Sequence, residues 1–378
     1  MSDGGDNPKS AAPRLNQYYW YTPRFWEGMR TGTFWHLLAR HRFAIAPSRL
    51  DNLLFGMVLP PVHSVCHRWQ ELRWRRRIAA AVELRAPVFI LGHWRSGTTL
   101  LHELLIRDDR HTYPTTYDCF SPSDVLSTSA FVRRWFSFLV PQRRPMDNMA
   151  AGWDRPQEDE FAMMNLGLPT IYETLAFPNQ GPCGLERLDH DALEPEQQLR
   201  YQQALRWFLT RIHVRDPRRI VLKSPPHLGR LRCLAEMFPA ARFVHIVRQP
   251  GEVYASSLRL WQALFQTQSF QVPTHEGLEA FVDRVFRDLY VAFHRQRAEI
   301  DASRICDVRY EDLVADPVAE IERVYGELQL GEFDAVRPAL ESHVEHIKHY
   351  RRNRHRLDDA TQQAVHERWN DYCQRYGY

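Results

Sequence analysis

Within the stretch VFILGHWRSGTTLLHELL, Val88 to Leu105, an apolar run meets Gly92, and Gly97 follows among polar residues. Ser96, Thr98 and Thr99 flank that second glycine, and Arg95 stands two residues before it. A glycine-rich turn that opens a helix aims backbone N–H groups and the positive end of the helix dipole at an anion. Gly92 permits the sharp exit from the apolar run, and Gly97 lets the backbone approach a ligand. A nucleotide triphosphatase sets a lysine after the second glycine and adds an acidic partner for magnesium. Thr98 stands there instead, so a less charged ligand, held by hydroxyls, amides and one guanidinium, fits better. Arg95 is suited to an oxygen on which negative charge develops during group transfer.

Residues of this kind must be carried by a frame, and the apolar runs show one. Candidate strands are 87–92, 219–224, 242–248 and 304–310, separated by helical stretches such as EQQLRYQQALRWFLTRIHV and EGLEAFVDRVFRDLYVAFHRQRAEI. Apolar strands alternating with helices predict an α/β fold: a P-loop-like parallel sheet flanked by helices. Such sheets bind ligands at the carboxyl ends of their strands. Each candidate strand runs into a residue able to do chemistry: Arg95, Lys223, Arg248 or Tyr310.

Ahead of this pattern lies a different region. The polar start, residues 1–17, is expected to be disordered; residues 18–85 are expected to form an N-terminal helical, aromatic-rich extension; residues 86–378 form the α/β domain. Six of the eleven tryptophans fall before residue 100. Two readings of the extension stay open: aromatics packed on the domain, or a Trp- and Arg-rich surface for lipid headgroups, which would make the protein peripheral to a membrane. The run LLFGMVLPPVHSVC is expected to be cut by Pro60 and Pro61, short of a spanning helix. The six cysteines lie fifty or more residues apart and the start lacks a hydrophobic signal core, which predicts reduced thiols and a cytoplasmic protein. A net charge of +3 and the lack of a reading motif argue against nucleic acid.

The segment RSGTT after an apolar strand resembles the 5′-phosphosulfate loop of sulfotransferases that use 3′-phosphoadenosine 5′-phosphosulfate (PAPS), in the bacterial branch that often has arginine first. FVHIVRQPGEVYASS resembles the family's 3′-phosphate segment, with Arg248 and, eight residues on (256 − 248 = 8), Ser256. A terminal phosphate suits a forked guanidinium and a hydroxyl. VRYEDLVADP resembles a third family stretch, in which the tyrosine lies near the adenine, so Tyr310 is the stacking candidate. Relatives close over the 3′-phosphate with an Arg-Lys-Gly stretch that is absent here. Arg352 and His355 of HIKHYRRNRHRL are carried over by position only.

The resemblance implies PAPS as co-substrate, no required metal, and direct sulfuryl transfer to a hydroxyl. It places the donor between two separated anion cradles. Lys223, 25 residues before Arg248 (248 − 223), matches the family's catalytic lysine and is expected on the sulfuryl or leaving phosphate oxygens. His227 is the preferred general base, since its imidazole titrates near neutrality; relatives place their histidine two residues earlier, where Pro225 stands. Some branches use a glutamate, which keeps Glu158 and Glu160 in contention against a simple helix-start role. The aromatic extension and the stretch MMNLGLPTIYETLAFP favour a hydrophobic acceptor, a lipid, quinol or sterol-like alcohol. A P-loop kinase and a non-catalytic nucleotide- or lipid-binding protein are the competing classes.

Overall fold

The computed structural model describes residues 21–81, 84–141, 149–347 and 358–378. Residues 1–17, Arg352 and His355 lie outside them. Five strands, β1 (Val88–Leu91), β2 (His111–Thr112), β3 (Arg219–Lys223), β4 (Arg242–Val247) and β5 (Ile305–Arg309), form one sheet in the order β2-β3-β1-β4-β5. Every pairing is parallel. The four expected strands are present, within a residue or two of their boundaries. β2 was missed because two residues carry no readable period.

Alternation within the strands builds a core on each face. Phe89, Leu91, Leu222 and Phe243 belong to one cluster, and Val88, Ile90, Val221 and Val244 to the other. Covering both faces is what makes these strands continuously apolar. The register brings their carboxyl ends level: Ile90 pairs with Lys223, Leu91 with His245 and Val247 with Arg309. After β1 the chain fills one side of the sheet with β2 and β3, then crosses to β4. The crevice outside β1 is therefore the switch point of the sheet.

The N-terminal segment adds helices α1 (Thr31–Arg40) and α2 (Leu50–Ala80) and shares the core of the domain. The Trp26 ring stacks on Phe270 at 4.1 Å, and its Nε1 donates to the Gln268 carbonyl at 2.8 Å. The expected break at Pro60 and Pro61 does not occur: α2 runs through both. The Pro60 carbonyl accepts from Ser64 Oγ at 2.8 Å, and Gly56, one turn earlier, packs so closely on Phe34 that a Cβ would lie 2.1 Å from its Cζ. Local contacts thus outweigh the missing N–H groups. No described helix is long and apolar enough to cross a membrane.

Candidate active site

The loop after β1 is held in a shape that its sequence makes available. Gly97 has φ 103° and ends against the Tyr310 ring; a Cβ there would lie 2.3 Å from Tyr310 Cδ2. Arg95 also adopts a left-handed backbone, φ 70°, which is strained for a residue with a side chain. Two bonds hold it there: its Nε donates to Ser256 Oγ at 2.7 Å, and its carbonyl accepts from Arg248 Nη1 at 3.0 Å. Ser96 is buried and donates to the His93 carbonyl at 2.7 Å, so its hydroxyl shapes the loop from behind. Thr98 and Thr99 begin α3 (Thr98–Leu105) and line the crevice.

The residues expected to form two separated cradles lie side by side, which corrects that expectation. The reason is the sheet: β1 and β4 are adjacent, so the loops at their carboxyl ends touch. Arg248 lies over the Tyr310 ring at 4.1 Å and pairs with Glu252 one helical turn on. Its backbone is clamped by one hydroxyl: Arg248 N–H donates to Tyr372 Oη at 2.9 Å, and Tyr372 donates to the Arg248 carbonyl at 2.8 Å. Glu311 accepts from the Gln249 N–H and the Tyr378 hydroxyl, a structural duty.

At the end of β3, Lys223 Nζ donates to Glu158 Oε1 at 2.8 Å. Glu158 immediately precedes the helix Asp159–Asn165, yet its side chain does not cap it. Its other oxygen accepts from the Tyr172 hydroxyl, which in turn accepts from Trp94 Nε1 at 2.8 Å. Burial, reinforced by the Glu158 carboxylate, pushes the Tyr172 phenol well above its ordinary range, so it stays protonated and donates. Lys223 lies behind Glu158, only 1% exposed, and does not line the crevice.

His227 does not reach the crevice either. It is fully buried, with Nε2 3.1 Å from Asp159 Oδ1 and its ring edge-on to Phe89. Burial alone would raise the Asp159 carboxyl, but His227 and the Ser224 hydroxyl hold it below its usual range. The expected base at His227 is corrected accordingly: the bend at Pro225 and Pro226 is a short 3-10 helix that turns the imidazole into the core. Glu160 is likewise occupied, in a buried ion pair with Arg230.

Arg95, Gly97, Thr98, Thr99, Arg248, Ser256, Tyr310 and Glu158 therefore share one cavity of about 1230 Å³; Ser96, Lys223 and His227 support it from outside. Pro23, Phe25, Phe120, Phe161, Leu260 and Leu264 supply an apolar wall to the same space. His343 lines it as well, and burial lowers its pKa to about 4, leaving the ring neutral at pH 7. No cluster of metal-ligating side chains occurs among the described residues. Tyr172 and Tyr372 carry no local signal, because their roles depend on contacts 14 and 124 residues away. Glu252 was legible as the i+4 partner of Arg248.

Known proteins match this chain over most of its length. A model described as "Sulfotransferase family" matches residues 87–335. The chain is 38% identical over 368 residues to a protein named "Omega-hydroxy-beta-dihydromenaquinone-9 sulfotransferase Stf3" from Mycobacterium bovis, covering 97% of this chain and 95% of that one. The Mycobacterium tuberculosis protein of the same name matches equally. Among solved structures, sulfotransferase STF1 from Mycobacterium tuberculosis superposes with a TM-score of 0.62 at 19% identity, covering 92% of both chains. Sulfotransferase STF9 from Mycobacterium avium gives 0.61 at 17%, covering 88% of this chain and 86% of that one. At these identities the structures show a shared fold.

Proposed function

The chain belongs to the sulfotransferase family, and we propose that it moves a sulfuryl group from PAPS to the hydroxyl of a long apolar acceptor. The observation that carries this reading is one cavity with a doubly cationic cradle, Arg95 beside Arg248, a carboxylate at Glu158 and a wall of aliphatic and aromatic side chains. Arg248 and Ser256 suit the 3′-phosphate, Tyr310 the adenine, and the loop amides with Thr98 and Thr99 the 5′-phosphosulfate. Arg248 would exchange Glu252 for the phosphate. Arg352 and His355 remain lid candidates by sequence position.

Glu158 takes the role first given to His227. Its carboxylate accepts the acceptor's hydroxyl proton while the alcohol oxygen attacks sulfur in line. The sulfur–oxygen bond to the nucleotide breaks, and its electron pair stays on the 5′-phosphate, where Arg95 and the loop amides stabilise the charge. Lys223 and Tyr172 position Glu158, each donating to one of its two oxygens. No step calls for a metal. The acceptor class follows from the apolar wall and from the name of the 38% identical relative: a lipid hydroxyl of the menaquinone-derived kind.

A thermal-shift comparison tests the reading. Desulfonated nucleotide at 100 times its Kd stabilises by about 2.7 kcal/mol, ATP does not, and sulfuryl transfer proceeds without added magnesium. Equal stabilisation by magnesium-ATP would favour a phosphotransferase and sink the proposal.

A further inference from the structure

The outer face of α2 carries a stripe that no described element covers. Leu54, Val58, Val62, Val65, Trp69 and Leu72 recur every three or four residues along one side of the helix. All six are more than half exposed, Val65 by 67% and Leu72 by 79%. Single exposed apolar side chains are ordinary, but a row of six is not. The helix Val125–Trp135 packs against α2 and adds exposed Phe131 and Trp135, with exposed Phe138 just beyond it.

Charge, residue type and position together select the occupant. The exposed cations of α2 are Arg68, Arg73, Arg75, Arg76 and Arg77. Of its two acids, only Asp51 is exposed; Glu71 is paired with buried Arg211. Two copies meeting isologously would present this arginine-rich patch to itself, which disfavours a second copy. On this surface Arg77 lies over Trp74 at 4.9 Å and Arg134 over Trp135 at 5.9 Å, a mixture suited to the headgroup–acyl boundary. The patch also runs into the reaction space: Val140 and Pro141, just past Phe138, line the cavity.

We propose that α2 and the Phe131–Phe138 segment dock the enzyme on an anionic lipid bilayer. The apolar stripe enters the acyl boundary, the arginines reach lipid phosphates, and the cavity mouth faces the membrane. The surface stands on its own side chains; its use in delivering an acceptor rests on the proposed function.

Vesicle sedimentation of the full chain tests this. The protein should pellet with vesicles holding phosphatidylglycerol as roughly one lipid in three and stay in solution with phosphatidylcholine alone. R73E/R75E/R76E should lower the partition coefficient roughly 100-fold. V65D/L72E, on exposed positions that leave the core untouched, should weaken it strongly even at low salt. Both variants should still sulfate a short water-soluble alcohol at the parental rate, so docking and catalysis fail separately. Failure to pellet with anionic vesicles overturns the proposal. So does binding that V65D/L72E leaves unchanged, or a solution dimer that L72E dissociates, which would put a second copy on the stripe.

Discussion

Replacing Glu158 by glutamine separates the charge of one carboxylate from its shape. Lys223 Nζ lies 2.8 Å from Glu158 Oε1, with the lysine 1% and the glutamate 14% exposed. At an effective dielectric of about 20, unit charges this close attract by roughly 6 kcal/mol, most of which is offset by desolvation. Stripping one charge from such a pair destabilises by about 3–5 kcal/mol. Glutamine keeps an oxygen for Nζ, so the expected loss is nearer 2–3 kcal/mol, read as a shifted urea midpoint. The effect on chemistry is larger, because removing a positioned base slows turnover by about 10²–10⁴-fold. Affinity for desulfonated nucleotide stays close to the parental value, since Arg95 and Arg248 are untouched. Single-turnover transfer of labelled sulfuryl, run beside a nucleotide titration, separates the two effects. A folded, nucleotide-binding E158Q protein that turns over within a factor of roughly 10 of the parent refutes the assignment.

Three further outcomes follow from the same contacts. Arg248→Ala removes the guanidinium over Tyr310 and should weaken binding of the desulfonated nucleotide by about 2–5 kcal/mol in calorimetry, while single-turnover transfer at saturating donor persists. Gly97→Ala forces a Cβ to 2.3 Å from Tyr310 Cδ2 at φ 103°. It should destabilise the fold by at least about 1–2 kcal/mol and displace the tyrosine, seen as a matching fall in nucleotide affinity. Burial lifts the Glu27 carboxyl to about 8, against the pull of Arg24. That contribution is present below its unfolded value of 4.5 and lost as pH rises through 8. Glu27→Gln should therefore change stability by less than about 1 kcal/mol near pH 5 and stabilise by several kcal/mol, on the order of 4, near pH 9, because about 3.5 pH units separate 4.5 from 8; a gap in urea midpoints that does not widen with pH contradicts this.

The site is arranged so that its charges hold one another in place. Arg95 keeps an unfavourable backbone because Ser256 and Arg248 both bond to it, and Arg248 keeps its position because Tyr372 clamps its N–H and carbonyl. Glu158 is aimed by Lys223 on one oxygen and Tyr172 on the other. A group preorganised in this way needs little rearrangement during reaction, which is where most electrostatic catalysis originates.

The chain's own order of residues determined the parallel sheet, four of its strands and the glycine-bearing loop after β1. Each is a local matter of apolar period, a strand followed at once by Gly92 and Gly97, and a serine one helical face away from its arginine. Only the tertiary structure decided which of the candidate bases meets the cavity. Glu158 and His227 both stand beside helix starts, but Pro225 and Pro226 turn the histidine inward to Asp159, while Glu158 lines the crevice with Lys223, 65 residues away in sequence, bonded to it from behind. The same holds for the contact of Arg95 with Arg248 and Ser256, since the neighbouring of β1 and β4 is a property of the sheet order. Periodicity reports what a segment buries. It carries no record of which distant segment it is buried against, and the chemistry here depends on that pairing.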